Sequence, residues 1–283
     1  MVLAHSGGTS PWEWHPHPDV WLMIVVLVGG YIAALRYWAP EGSPAVPASR
    51  KLSFFLGAGI LWVGADWPMH DLSEGVLFSA HMVQHLIFSL VAPPLLLLGL
   101  PPWLLRRLIR PGPIEWVVRR LARPVPALLI FNTAVVLVHW PAAINLQVSS
   151  EFAHFAIHAL FVSTALLMWW PVIEPLPEYG SMNPLAKMFY LFVQSIVPTV
   201  PASFLTFATT PLFDSYAGGL GMSPVTDQMV AGLIMKLGGG LLLWSVIAFI
   251  FFRWHEQEEK PRELAEMPWE DFERELQVWD LRK

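Results

Sequence analysis

Residues 76–100 read VLFSAHMVQHLIFSLVAPPLLLLGL, a run without one Asp, Glu, Lys or Arg. About 20 apolar residues cross the hydrocarbon of a bilayer, so the stretch predicts a transmembrane helix and with it the fold class. Inside it His81 and His85 stand one helical turn apart, which puts two imidazoles on one face. Residues 152–171 repeat the pattern, with His154 and His158 near the start of another apolar run. Ionisable groups in hydrocarbon are expensive and usually functional. A metal site is therefore the first hypothesis.

Composition agrees with that reading of the fold. The chain is 55% hydrophobic and 14% charged, with mean hydropathy +0.50, whereas soluble domains run at about a quarter charged. The 19 Gly and 26 Pro suit a membrane bundle, where neighbouring helices satisfy the backbone groups they free. The absence of cysteine excludes disulfides, thiolate zinc sites, iron–sulfur clusters and a CxxC copper carrier. Any metal is left to His, Met, carboxylate or backbone ligands.

Apolar runs of spanning length predict an all-α, polytopic helix bundle with seven transmembrane helices. They are Val20 to Trp38, Leu52 to Trp67, Val76 to Leu100, Val125 to Trp140, Phe152 to Pro171, Lys187 to Ala208 and Asp227 to Phe252. The chain divides into an outer segment at 1–19, a membrane domain at 20–252 and an acidic cytoplasmic tail at 253–283. Lys and Arg cluster at the end of and after the first run, after the third and seventh runs and at the start of the sixth; the loops of opposite parity have none, and only Lys236 lies deep within a span. The positive-inside rule then places the N-terminus outside and the C-terminus in the cytoplasm. The first 19 residues lack a basic start and an apolar run, so the first span reads as an uncleaved anchor. The expected location is the bacterial cytoplasmic membrane.

With this orientation His81 and His85 lie roughly 7 and 13 Å below the outer face, and His154 and His158 lie within about 10 Å of it, at 1.5 Å per residue. The fourth span runs outward and ends at His139. Three helices thus bring five imidazoles to one outer slab, with Met69, His70 and Met82 as further candidate ligands. The competing readings are a proton-handling polar network and simple helix packing through polar side chains. Imidazole suits copper, zinc, iron and nickel, and nearby thioethers tilt the choice toward Cu(I). Zinc and haem remain alternatives: Asp66 could serve a zinc hydrolase as base although HExxH is absent, and one bis-histidine haem could fit.

At this point the residues carry a resemblance. His81-Met82-Val83-Gln84-His85, followed by the Ala92-Pro93-Pro94-Leu95 run to Pro101, resembles the seven-span CtaG family of cytochrome c oxidase assembly factors. Val138-His139-Trp140-Pro141, Trp169-Trp170-Pro171-Val172, Thr210-Pro211-Leu212-Phe213 and the stretch from Asp227 to Met235 add matches in order. A single-span copper carrier of the same name uses cysteines and is a different protein. The resemblance implies a non-enzymatic metallochaperone that supplies copper to the buried copper centre of haem-copper oxidase subunit I. An outer-side copper donor is a further candidate partner, the lipid bilayer is the setting, no nucleic acid is expected, and oligomeric state is left open. His81, His85, His139, His154 and His158 are the expected ligands, with Asp66 and Gln84 orienting imidazoles.

Lys236 departs from this picture, because a cation about 13 Å deep beside copper would weaken metal binding; a pair with Asp66 or Asp227 is the structural reading. His5, His15 and His17, among Trp12 and Trp14, could capture copper or simply belong to an interfacial tryptophan anchor. In the tail, Trp269, Phe272, Leu276 and Trp279 recur at helical spacing and predict an amphipathic helix.

Overall fold

The computed structural model describes residues 12, 14–74, 76–110, 112–179, 181–213, 215–216, 218–266 and 273–274. Among the described residues every regular element is helical. Seven rods carry the architecture. They are α1 (Pro18–Tyr37), α2 (Ala48–Ala65), α3 (Phe78–Gly99), α4 (Pro124–Val138), α5 (Glu151–Ile173), α6 (Pro184–Phe207) and α7 (Pro224–Glu259). The helix of α7 continues past the apolar run as far as Glu266.

By length and composition α1, α3, α5, α6 and α7 can each cross a membrane; α4 joins them only together with Gly112–Leu121, from which it bends by 89°. The α2 helix has 18 residues and opens on Arg50 and Lys51, two cations that dilute its apolar length. The chain is a multi-pass helical membrane protein with five or six candidate spans, where the sequence predicted seven. The tail stripe of Trp269, Phe272, Leu276 and Trp279 lies outside the described residues, as does His5.

Contacts sort the loops to two ends. At one, Arg106 pairs with Glu178 and the Arg107 guanidinium lies over the Trp38 ring. At the other, both indoles of Trp21 and Trp62 donate to Asp66, and the Tyr216 hydroxyl donates to the Ser73 carbonyl. Leu22, Val25, Phe189, Phe204, Leu241 and Phe249 stay exposed on the rod surfaces, as lipid-facing residues should.

The histidine-bearing rod α3 sits at the centre, and local chemistry explains its shape. Its first amides have no helical partner, and the fully buried Asp227 of α7 accepts from two of them, Phe78 N–H at 2.6 Å and Ser79 N–H at 3.0 Å. After His85 the helix widens into a π-turn at Ile87–Val91 and continues through Pro93 and Pro94. Proline has no N–H to offer the carbonyl four residues back, which for Pro93 is that of Ser89. The Trp169 indole of α5 takes that orphan, donating to the Ser89 carbonyl at 2.8 Å. A second π-turn, Ile234–Gly238 of α7, lies alongside, where Gly238 lets the Leu86 side chain approach.

Gly99 fixes how closely α2 and α3 pack. A Cβ there would lie 2.5–2.6 Å from the backbone N and Cα of Phe54, which cannot rotate aside. Gly99→Ala is expected to cost roughly 1–3 kcal/mol, the usual cost of overpacking, read as a lower thermal midpoint of the detergent-solubilised protein. An unchanged midpoint would show that α2 is free to slide.

Candidate metal centre

His81, Gln84 and His85 lie on the buried face of α3, at 3%, 0% and 5% exposure. The turn spacing that placed the two histidines together holds here, with ring centroids 4.2 Å apart. His158 reaches them from α5, its ring 5.9 Å from His81 and 5.5 Å from His85. One ligand nitrogen from each of these three rings lies within 4.8 Å of the other two. A metal with nitrogen bonds of about 2.0 Å holds such ligands about 3.3–3.5 Å apart. Small ring rotations close the difference.

His139 stands at the end of α4 with its ring 5.2 Å from His85. Its Nδ1–H donates to the Val135 carbonyl at 2.6 Å. That bond fixes the tautomer and leaves Nε2 as a bare lone pair, the usual way a ligand imidazole is prepared. A cavity of about 50 Å³ adjoins His85 and His139, with Met82, Ser89, Met235 and Lys236 also on its wall. Met82 is thus a buried thioether beside the imidazoles.

Whether these residues suit a metal can be tested on their unsatisfied atoms. His81 Nδ1, His85 Nδ1, His139 Nε2, His154 Nε2 and His158 Nε2 are all shielded from solvent without a hydrogen-bond partner. Each such atom costs about 1–3 kcal/mol when left unpaired, and native proteins keep few of them. Five on neighbouring imidazoles fit a bound cation better than they fit packing.

His154 sits apart from the inner three. Its ring stacks on His158 at 4.3 Å, yet its Nδ1 lies 3.1 Å from Glu74 Oε1, and that same oxygen is 3.3 Å from His70 Nε2. His70, Glu74 and His154 thus form a second group with ligand atoms within 4.8 Å of one another. His70 belongs to the short helix Met69–Ser73, outside the long apolar rods. Burial, and next the neighbouring His17, push its pKa down to about 4, so it is the neutral, metal-binding imidazole at ordinary pH. Met69, which precedes it, is half-buried at the same mouth.

Several expected supporting roles fall out differently. The Asp66 carboxylate accepts from the Trp21 and Trp62 indoles at 2.9 and 2.7 Å and from the Trp67 amide. Gln84 ties helices together, donating to the Gly64 carbonyl at 2.8 Å and accepting from the Ser73 hydroxyl. Asp227 accepts from the α3 amides rather than meeting Lys236. Lys236 itself is exposed on α7, with no ion pair among the described residues. Glu74 escaped sequence reasoning because a lone acid in a loop has no periodicity; its one signal was a spacing of four from His70.

These features sit within a broader likeness. The family model described as cytochrome c oxidase caa3 assembly factor (Caa3_CtaG) matches residues 29–257. The chain belongs to that family. The match includes every histidine of both groups and stops short of His15 and His17. Neither a curated protein nor a solved structure matches. For a CtaG-family chain, metal-binding potential in the membrane-spanning helices is what the geometry adds.

Proposed function

We propose that this chain binds Cu(I) through His81, His85 and His158, with His139 as a fourth nitrogen, and delivers it to the buried copper centre of oxidase subunit I. The observation that carries the proposal is the approach of three ring nitrogens from two rods to within 4.8 Å of one another, beside orphaned nitrogens. Copper is cargo here, and no catalytic step is assigned to the chain. Imidazoles with a neighbouring thioether and no thiolate favour cuprous copper. A cavity of about 50 Å³ is small for a haem, whose size calls for several hundred Å³. The hydrolase alternative loses its proposed base, since Asp66 already accepts three hydrogen bonds.

The reading includes seven crossings, N-terminus outside, in a bacterial cytoplasmic membrane. Arg50, at the start of α2, donates to the Leu98 and Leu100 carbonyls at the end of α3, while Asp66 closes α2 at the histidine end. That contact pattern supports α2 as a seventh crossing despite its charged start. The basic residues then face the cytoplasm, and both histidine groups face outward. Release follows from ligand exchange, one donor imidazole leaving as one recipient imidazole binds, with no change in the charge of the ion.

A deletion strain tests delivery. Its oxidase is expected to assemble without the buried copper, with recovery on expression of the wild-type chain and none with the His81→Ala/His85→Ala variant. Copper content of purified oxidase decides the matter. A normal complement in the deletion strain would defeat the delivery claim.

A further inference from the structure

We infer that His70, Glu74 and His154 form a separate outer capture site, from which copper passes to the inner site across the His154–His158 pair. The inference rests on the copper-binding reading above. Its own support is a continuous file of imidazoles running inward from the N-terminal segment. His15 Nδ1 and His17 Nε2 sit on the two oxygens of Asp71, at 2.8 and 2.9 Å. The His17 ring meets His70 at 4.5 Å, His70 meets His154 at 5.5 Å, and His154 stacks on His158 at 4.3 Å. His158 in turn belongs to the inner three. Every step is shorter than about 6 Å, so an ion can be held by the next ring before the last one lets go.

The ligand chemistry gives the file a direction. Glu74 is the exposed member of the outer group, its side chain 38% accessible against 17% for His70 and 12% for His154. A carboxylate at the mouth attracts a cation, and Asp19, Asp66 and Asp71 add negative charge near His70. No Lys or Arg occurs in residues 1–19, 66–77, 139–151 or 209–226. Carboxylate is a hard ligand that holds Cu(I) less firmly than imidazole or thioether. The inner site offers more imidazoles and Met82, so copper moves down an affinity gradient toward it. His154 is built to bridge: Nδ1 lies against Glu74 while Nε2 is shielded and unpartnered. As a bond from copper to His158 forms, the bond to Glu74 or His70 breaks, and no electron is transferred.

The test is titration of the purified full-length protein in detergent with Cu(I) bicinchoninate under anaerobic, reducing conditions, following both stoichiometry and rate. Wild type is expected to take two equivalents. Glu74→Gln and His70→Ala should each take one and fill the remaining inner site about tenfold more slowly. His81→Ala/His85→Ala should retain one, taken up at the wild-type initial rate. Circular dichroism checks each fold; should His70→Ala fail to fold, the exposed Glu74→Gln carries the test. Two equivalents at the wild-type rate in Glu74→Gln would overturn the capture site. One equivalent in wild type, lost in His81→Ala/His85→Ala, would also overturn it while leaving the inner site intact. No copper uptake by wild type would defeat the copper reading and this inference together.

Discussion

Replacing His81 and His85 together by alanine is expected to abolish tight copper binding at the inner site, lowering affinity there by at least a hundredfold. Loss of a group that merely orients a ligand already costs about 10–100-fold, and this variant removes two of the three converging nitrogens. Stability of the metal-free protein alone would mislead. The change opens a cavity, which destabilises, but it also deletes two buried unpartnered nitrogens, which stabilises. The informative quantity is the stabilisation added by copper, about 2.7 kcal/mol for a ligand at 100 times its Kd. It should appear in wild type as a rise in the thermal midpoint and shrink sharply in the variant. Equal copper-induced shifts in the two proteins would remove His81 and His85 from the site. His139→Ala should weaken binding less, because its nitrogen is not among the three that lie within 4.8 Å of one another.

Asp227→Ala is expected to produce the largest loss of stability, about 2–6 kcal/mol, and to loosen the metal site with it. The carboxylate is fully buried and is the acceptor for the Phe78 and Ser79 amides. Without it two N–H groups stay unpaired, at about 1–3 kcal/mol each, in a setting where little water can replace the acceptor. The affected turn is the one that leads directly into His81. Asp227→Asn, with a single acceptor oxygen, should fall between alanine and wild type. Thermal unfolding of the three proteins in one detergent checks the order. Wild-type stability in Asp227→Ala would mean that the α3 amides find another acceptor and that α7 does not position the histidine helix.

How much of this was legible in the sequence depended on whether the signal was periodic. Apolar runs located α1, α3 and α6 to within about three residues at each end, because hydrocarbon thickness dictates their length. The α2 helix was harder, since Arg50 and Lys51 fall inside it. A four-residue spacing was enough to pair His81 with His85 and His154 with His158, since a helix places such residues on one face. Depth alone could not say which rings converge. It grouped five at one level, whereas His154 turns its Nδ1 to Glu74 in a loop. Loop geometry and long-range side-chain partners leave no mark on periodicity, which is why Asp66 and Gln84 were expected on imidazoles. The first sits under two indoles, and the second joins α3 to the Gly64 carbonyl. The role of Asp227 as a cap for a helix 149 positions earlier in the chain was equally invisible.

Lys236 remains the feature that most constrains the mechanism. It lines the cavity beside His85 and His139 from the exposed side of α7, within a π-turn. π-turns often mark functional positions.

Copper K-edge absorption of the full-length protein loaded with one equivalent of Cu(I) reads which atoms hold the ion. A first shell of three or four nitrogens with the outer-shell scattering of imidazole rings is expected, and it should be lost in His81→Ala/His85→Ala. A shell dominated by oxygen or sulfur, or the same nitrogen shell in that variant, would contradict it.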